Sequence, residues 1–140
     1  MGYKFLEHTA DLKIVVEEKT LENAFKTSVM ALKEAIAEKI KIKPSDKKLI
    51  AIKGEDLLGL LYKFLEEFLF LLDAKGFLVS EVEELKIVGD KKNGYILNAE
   101  VSGDKASRYK FSNSVKAITF NEMIIEDKNG KFKIQFVLDV

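Results

Sequence analysis

Segment 7–11 of this 140-residue chain, Glu-His-Thr-Ala-Asp, contains side chains that can take part in chemistry. They are two carboxylates and an imidazole. The segment lies between two predicted strands, so its polar side chains come at the end of a sheet, where a rigid scaffold commonly positions a site. A plainer interpretation is that Asp11 and Thr9 form a turn by bonding to nearby backbone, with His8 packed beside them. The spacing alone favours the turn.

A second acidic position lies near the other end of the chain. Asp139 follows a predicted strand, and Val140 after it is expected to carry a free α-carboxylate. Two carboxylates one residue apart on an ordered strand suit a hard cation with oxygen ligands, such as calcium or magnesium. If Asp11 met them, three negative charges would converge, which is unfavourable without a cation or a lysine nearby. The alternative is a terminus that frays and exposes its charges to water.

Most other chemistry is excluded by residue content. The chain has no cysteine, which excludes disulfides, thiolate metal sites and Cys nucleophiles, and its one histidine, His8, excludes a multi-His metal cluster within one chain. The sequence contains no Gly-rich phosphate loop and no G-x-S-x-G nucleophile motif. A metal-dependent hydrolase using Asp11, Asp139 and His8 on phosphate esters is disfavoured, because a two-metal site needs more convergent ligands.

The charges of the chain balance, with 23 basic and 23 acidic residues. This balance argues against a domain that binds nucleic acid through its overall charge, although a local basic patch could still be present. Lys116 opens a predicted strand after a polar segment, a position where a lysine is most often a solvated surface charge. No secretory signal begins the sequence, and with the absence of cysteine this predicts a cytoplasmic protein.

Two predicted helices help to position these residues. Thr20 is a good N-cap for a helix over 21–36, where apolar residues recur every three or four positions. A second helix is predicted over 56–74; its charged residues fall at helical spacing and interrupt an apolar run that is too short for a membrane span. Three of its aromatic residues are predicted to face the core: Phe64, Phe68 and Phe70.

The remaining segments alternate as strands do. Strands are predicted over 3–7, 12–17, 48–53, 77–88, 95–102, 118–126 and 131–138. Asn93-Gly94 and Asn129-Gly130 are typical of tight hairpin turns, and 103–113 is predicted to be a loop. The sum is an α+β fold with two helices packed on a mostly antiparallel β-sheet, forming a single two-layer domain over 1–140.

Several of these segments together resemble the archease family. The first motif is Phe-Leu-Glu-His-Thr-Ala-Asp at 5–11, followed by Lys-Thr-Leu-Glu-Asn-Ala-Phe at 19–25. The similarity continues through the start of the second helix at 56–58, through Val-Lys-Ala-Ile-Thr-Phe at 115–120, and ends at Val-Leu-Asp-Val, 137–140. It therefore spans nearly the whole chain, and the motifs at 5–11 and 115–120 are the most specific part of it.

The resemblance implies a non-enzymatic accessory protein whose partner is the RtcB-type RNA ligase. That ligase joins tRNA halves after intron removal, using GTP and divalent metal, and archeases promote its guanylylation and multiple turnover and can broaden the nucleotides it accepts. The resemblance further implies a calcium-type site at Asp11, Asp139 and Val140, holding Ca²⁺ or another divalent cation such as Mg²⁺ or Mn²⁺. Lys116 falls on the motif linked to partner activation, and His8 lies inside the first motif. Neither sequence-specific nucleic-acid binding nor membrane binding is expected.

The sequence departs from the family pattern at two places. Asn121 stands where many members carry a histidine, and segment 103–113 lacks a histidine expected there, with Asp104 in place of a glutamate. If those histidines take part in metal transfer, this chain must act without them. An alternative from another functional class is a general chaperone-like module, in which an apolar helix surface holds unfolded proteins.

Overall fold

The computed structural model describes residues 1–8 and 11–140, with residues 7 and 8 described by their backbone alone. Two α-helices and seven strands follow one another in the described chain, which confirms the predicted α+β fold. In order they are β1 (Gly2–His8), β2 (Asp11–Glu18), α1 (Leu21–Ala37), β3 (Asp46–Gly54), α2 (Leu57–Lys75), β4 (Phe77–Asp90), β5 (Gly94–Lys105), β6 (Ala117–Lys128) and β7 (Lys131–Asp139).

The strands form two antiparallel sheets, where the sequence predicted one. The first has the order β1-β2-β7-β6 and the second the order β3-β5-β4. Such a division depends on pairings between distant segments, which local alternation does not reveal. The predicted loop over 103–113 is partly wrong, because β5 continues to Lys105 and a short 3₁₀ helix, Ala106–Arg108, follows it.

Local signals fix the ends of the helices, and the N-cap predicted at Thr20 is confirmed. The side chain of Thr20 accepts a hydrogen bond from the Asn23 N–H at 3.1 Å, and Asp56 accepts one from the Gly59 N–H at 2.7 Å. These caps satisfy N–H groups that have no partner within the helix. Gly76 ends α2 in the left-handed conformation, at φ 60°, which a residue without Cβ adopts at little cost.

Both helices pack on the inner faces of the sheets and share one apolar core with them. Phe25 of α1 stacks on Phe64 of α2 with ring centroids 6.2 Å apart, and Phe136 of β7 is fully buried in the same core. The predicted core position of Phe70 is wrong, since 51% of its surface is exposed on α2. Neither of the helices described is long and apolar enough to cross a membrane.

Candidate acidic site at the end of the first sheet

Asp11 and Asp139 lie directly opposite each other in the antiparallel pairing of β2 with β7. Side chains in such a pair project from the same face, with Cβ atoms about 4.5–5.5 Å apart. The register is held further along the strands, where Ile14 lies opposite Phe136 and both are fully buried. A slip by one residue would turn these two side chains out of the core, so the core itself keeps the two carboxylates together.

Lys116 joins this sheet end through its backbone. Its N–H donates a 2.7 Å hydrogen bond to the carbonyl oxygen of Asp139, and β6 begins at the next residue, Ala117, which lies opposite Asp139. The lysine side chain is exposed, so its ammonium group is available to a partner at the same end of the sheet. Val140, half-buried against the core, follows Asp139 directly.

The backbone of His8 also lies at this sheet end, opposite Asp11 in the β1–β2 register. The side chain of His8, together with Thr9 and Ala10, lies outside the described residues. The predicted turn made by Thr9 and Asp11 therefore lies outside them as well. The structure thus brings together the backbones of four residues that the sequence singled out in three separate segments: His8, Asp11, Lys116 and Asp139.

Glu122 brings a further carboxylate toward this face, which the sequence pattern did not predict. The β6–β7 register shifts between Thr119 and Ile124, and within this bulge Glu122 adopts φ 59°. Its Oε1 lies 2.8 Å from Nζ of Lys13, which follows Asp11 on the same face of β2, and its carbonyl accepts a 2.8 Å hydrogen bond from Gln135 Nε2. No glycine occurs in 119–124 to mark the bulge, so no sequence signal was available.

An exposed aromatic side chain lies on β6, the strand that begins directly after Lys116. The ring of Phe120 stacks on Tyr62 of α2, with centroids 4.1 Å apart and planes 13° from parallel, and 56% of Phe120 remains exposed. The stack ties β6 to α2 while leaving apolar ring surface in water. Exposed aromatic surface beside charged residues is typical of a contact with another protein.

The donors at this sheet end fit a hard divalent cation only in part. Asp11 and Asp139 supply carboxylate oxygens, the ligand type that calcium and magnesium prefer. Calcium takes about six to eight oxygen ligands, whereas the described residues contain no group of three or more His, Cys, Asp or Glu side chains placed to hold an ion. A cation held by this pair would therefore draw most of its ligands from elsewhere.

Asp104, one of the two family departures, has a structural role. The carboxylate is 1% exposed and accepts hydrogen bonds from Tyr109 Oη at 2.7 Å, Arg108 Nη1 at 3.0 Å and the Lys105 N–H at 2.8 Å. The bond from Tyr109 is the main reason that the pKa of Asp104 is held below its usual range. Tyr109 in turn accepts a 2.9 Å bond from the Lys43 N–H, so this network pins the segment before β3 to the end of β5.

The chain is similar to known proteins over nearly its whole length. The model of the archease protein family matches residues 3–140. Protein archease of Pyrobaculum neutrophilum is 36% identical, with 99% of this chain and 95% of that protein covered, and protein archease of Pyrococcus furiosus is 37% identical, with 99% and 98% covered.

Two solved structures share the fold. The solution structure of protein 1598 from Methanobacterium thermoautotrophicum superposes with a TM-score of 0.83 at 28% identity, covering 99% of each chain. The crystal structure of an archease from Thermotoga maritima, described as a possible chaperone, gives a TM-score of 0.62 at 18% identity, with 98% of this chain and 96% of that one covered. On the family match and the identities to the two curated relatives, this chain belongs to the archease protein family.

Proposed function

We propose that this protein is an accessory factor that activates an RtcB-type RNA ligase, promoting its guanylylation and repeated turnover, and does not itself catalyse the reaction. The observation that carries the proposal is the pairing of Asp11 with Asp139 at a sheet end that also holds Lys116. Membership of the archease family supports an accessory class of function, and the Thermotoga maritima relative is described as a possible chaperone.

We further propose that Asp11 and Asp139 hold a divalent cation of the calcium type, with Mg²⁺ and Mn²⁺ as the other candidates. The bound cation would supply positive charge to phosphate oxygens of the ligase's nucleotide. Two side-chain carboxylates leave most of the ligand sphere open, so water and oxygen atoms of the partner can complete it. Val140, which follows Asp139 directly, belongs to the same proposed site.

In this proposal, residues of the protein itself position the cation and contact the ligase. The β2–β7 pairing orients the two carboxylates, and the exposed ammonium group of Lys116 offsets negative charge at the contact with the ligase. Phe120 provides the apolar contact, because its exposed ring is held in place by Tyr62. A small aromatic contact beside charges suits a partner that binds and leaves in each cycle.

The test is multiple-turnover RNA ligation by an RtcB-type ligase at limiting ligase, with and without this protein. The Asp11→Asn variant should fail to stimulate turnover while keeping the fold, because it removes one carboxylate of the pair. The matched control is Asp127→Asn, an exposed aspartate at the other end of β6, opposite Phe132, which should stimulate fully. Full stimulation by Asp11→Asn contradicts the acidic site, and no effect of the native protein on a cognate ligase contradicts activation.

A second candidate function is the general chaperone-like module, and the exposed apolar residues of the second sheet favour it. Leu49 on β3 is 84% exposed, and Val88 and Ile96 form an exposed cross-strand pair at 49% and 40%. The predicted helix surface is a weaker candidate, because α2 exposes Lys63 and Glu66 beside Phe70. Protection of an unrelated client in an aggregation assay, lost in Leu49→Ser, would support this function over dedicated activation.

A further inference from the structure

A surface hollow at one end of the second sheet collects four lysines from three segments. The hollow, of about 640 Å³, lies where the end of β3, the first turns of α2 and the β4–β5 hairpin meet. Its lysines are Lys53, Lys63, Lys91 and Lys92, and we call it the lysine hollow. Glu55 is the acidic residue among those that line it.

The walls of the lysine hollow are fixed by backbone contacts. Nζ of Lys63 donates a 2.9 Å hydrogen bond to the carbonyl of Lys53, which holds α2 against the end of β3. Asp90 accepts bonds from the backbone N–H groups of Lys92 at 3.0 Å and Asn93 at 2.7 Å, which orders the hairpin turn. A Cβ at Gly94 would meet the Gly54 carbonyl oxygen at 3.0 Å, so the hairpin is seated closely on β3.

The lysine hollow carries a local positive charge, although the net charge of the whole chain is zero. In the described part of the chain, Lys13 and Lys47 form ion pairs with Glu122 and Glu100, whereas none of the four lysines of the hollow does so. The N-terminus of α2 adds little, because the Asp56 carboxylate already caps it. The attraction for an anion therefore comes from the ammonium groups themselves.

We propose that the lysine hollow binds the phosphodiester backbone of single-stranded nucleic acid, without reading its sequence. Lysines act on phosphates as point charges, and several of them around a polar hollow suit an anion whose charges repeat along a chain. Tyr95, half-buried in the wall of the hollow, offers a ring on which a base can stack. Lysine ammonium groups attract carboxylates as well as phosphates, so the ring of Tyr95 is the feature that favours nucleic acid over an acidic protein segment. This binding goes beyond the proposed function and does not require the acidic site.

The experiment is fluorescence anisotropy of the native protein, without ligase or added metal, with labelled oligouridine RNA at several salt concentrations. Each lysine–phosphate contact contributes about 0.7 to the slope of log K against log salt, so four contacts predict a slope of about −3. The double variant Lys91→Gln/Lys92→Gln should reduce that slope by about 1.4. The matched control is Lys39→Gln/Lys41→Gln, two exposed lysines between α1 and β3, which should keep the native slope.

Two further probes identify the ligand. Single-stranded DNA of equal length should bind with the same salt slope if phosphate alone is recognised. A preference for RNA would indicate an additional contact to the 2′-hydroxyl. A labelled poly-glutamate peptide of equal charge should bind more weakly than RNA. Equal binding of that peptide overturns the proposal in favour of an acidic protein partner, and equal losses in the two double variants overturn the lysine hollow as the site. Because no ligase is present, these outcomes are independent of ligase activation.

Discussion

Asp11 and Asp139 come from opposite ends of the chain and lie directly across from each other, where β2 begins and β7 ends. Like charges placed directly opposite on neighbouring strands destabilise a sheet unless a counter-charge offsets them. Lys116 is bonded by its N–H to the carbonyl of Asp139, and Lys13 on the same strand as Asp11 pairs with Glu122. The strand pairing therefore keeps two carboxylates side by side at a sheet end that also has lysines.

Calcium should stabilise the native protein and should do so through both carboxylates. A ligand that binds only the folded state raises its stability by RT ln(1 + [L]/Kd), about 2.7 kcal/mol at one hundred times Kd. Differential scanning calorimetry with calcium and with chelator should show a higher Tm in calcium for the native chain and no difference for Asp139→Asn. Asp127→Asn should respond as the native chain does, and an unchanged calcium response in Asp139→Asn would rule out its carboxylate as a ligand.

Replacing Lys116 by glutamine should abolish stimulation of the ligase without weakening the fold. Its side chain is exposed, and the N–H that bonds to Asp139 remains in the variant, so the change in unfolding free energy should stay within about 0.5 kcal/mol. Ligation assays and urea unfolding measure the two effects separately. Lys110→Gln, an exposed lysine in the segment before β6, is the control; equal stimulation by both variants would show that Lys116 is only a solvated charge.

Replacing Phe120 by alanine should weaken binding to the ligase by about 1–2 kcal/mol, the loss expected for an exposed aromatic hot spot. Affinity by isothermal titration calorimetry gives the effect directly. Phe70→Ala removes an aromatic ring of similar exposure from α2 and should leave the affinity unchanged. If the two variants lose the same affinity, the contact does not involve the Phe120–Tyr62 stack.

Replacing Tyr109 by phenylalanine should lower the stability of the protein at neutral pH and make that stability less dependent on pH in acid. Because the Tyr109 hydroxyl lowers the pKa of Asp104 in the folded state, the carboxylate stabilises the fold above its ordinary pKa, and this stabilisation is lost as the pH falls through the lowered value. Without the hydroxyl, the pKa of Asp104 in the folded state rises toward its ordinary value, so less stabilisation is present at neutral pH and less is lost in acid.

Stability should be followed by circular dichroism from neutral to acid pH. The difference between the native chain and Tyr109→Phe should be largest at neutral pH and should narrow in acid. Tyr95→Phe, at the other end of β5, serves as the control. A difference that stays constant with pH would mean that the hydroxyl acts by packing alone.

Much of the fold followed from local sequence patterns. Thr20, Asp56 and Gly76 mark helix ends that depend on neighbouring backbone, and Asn129-Gly130 forms the predicted turn with φ 54° and 73°. The division into two sheets did not follow, because it depends on contacts between distant segments. The single domain over 1–140 stays a prediction.

The candidate site was predictable residue by residue, but not as an arrangement. Residue type suggested Asp11, Asp139 and Lys116 separately, whereas their meeting depends on the β2–β7 pairing and on the core that holds its register. Glu122 was missed because a positive φ at a residue other than glycine leaves no mark in the sequence. Their roles in metal binding and activation stay predictions.

The most direct test of the central claim is a double-mutant cycle on Asp11 and Asp139, measured as stimulation of multiple-turnover ligation by the RtcB-type ligase. Asp11→Asn, Asp139→Asn and the double variant are compared with the native protein at limiting ligase. If the two carboxylates form one site, each single variant loses as much stimulation as the double variant, since the effects of substituting residues that act as a unit do not add. Losses that add, or a single variant that stimulates like the native protein, would contradict a shared site.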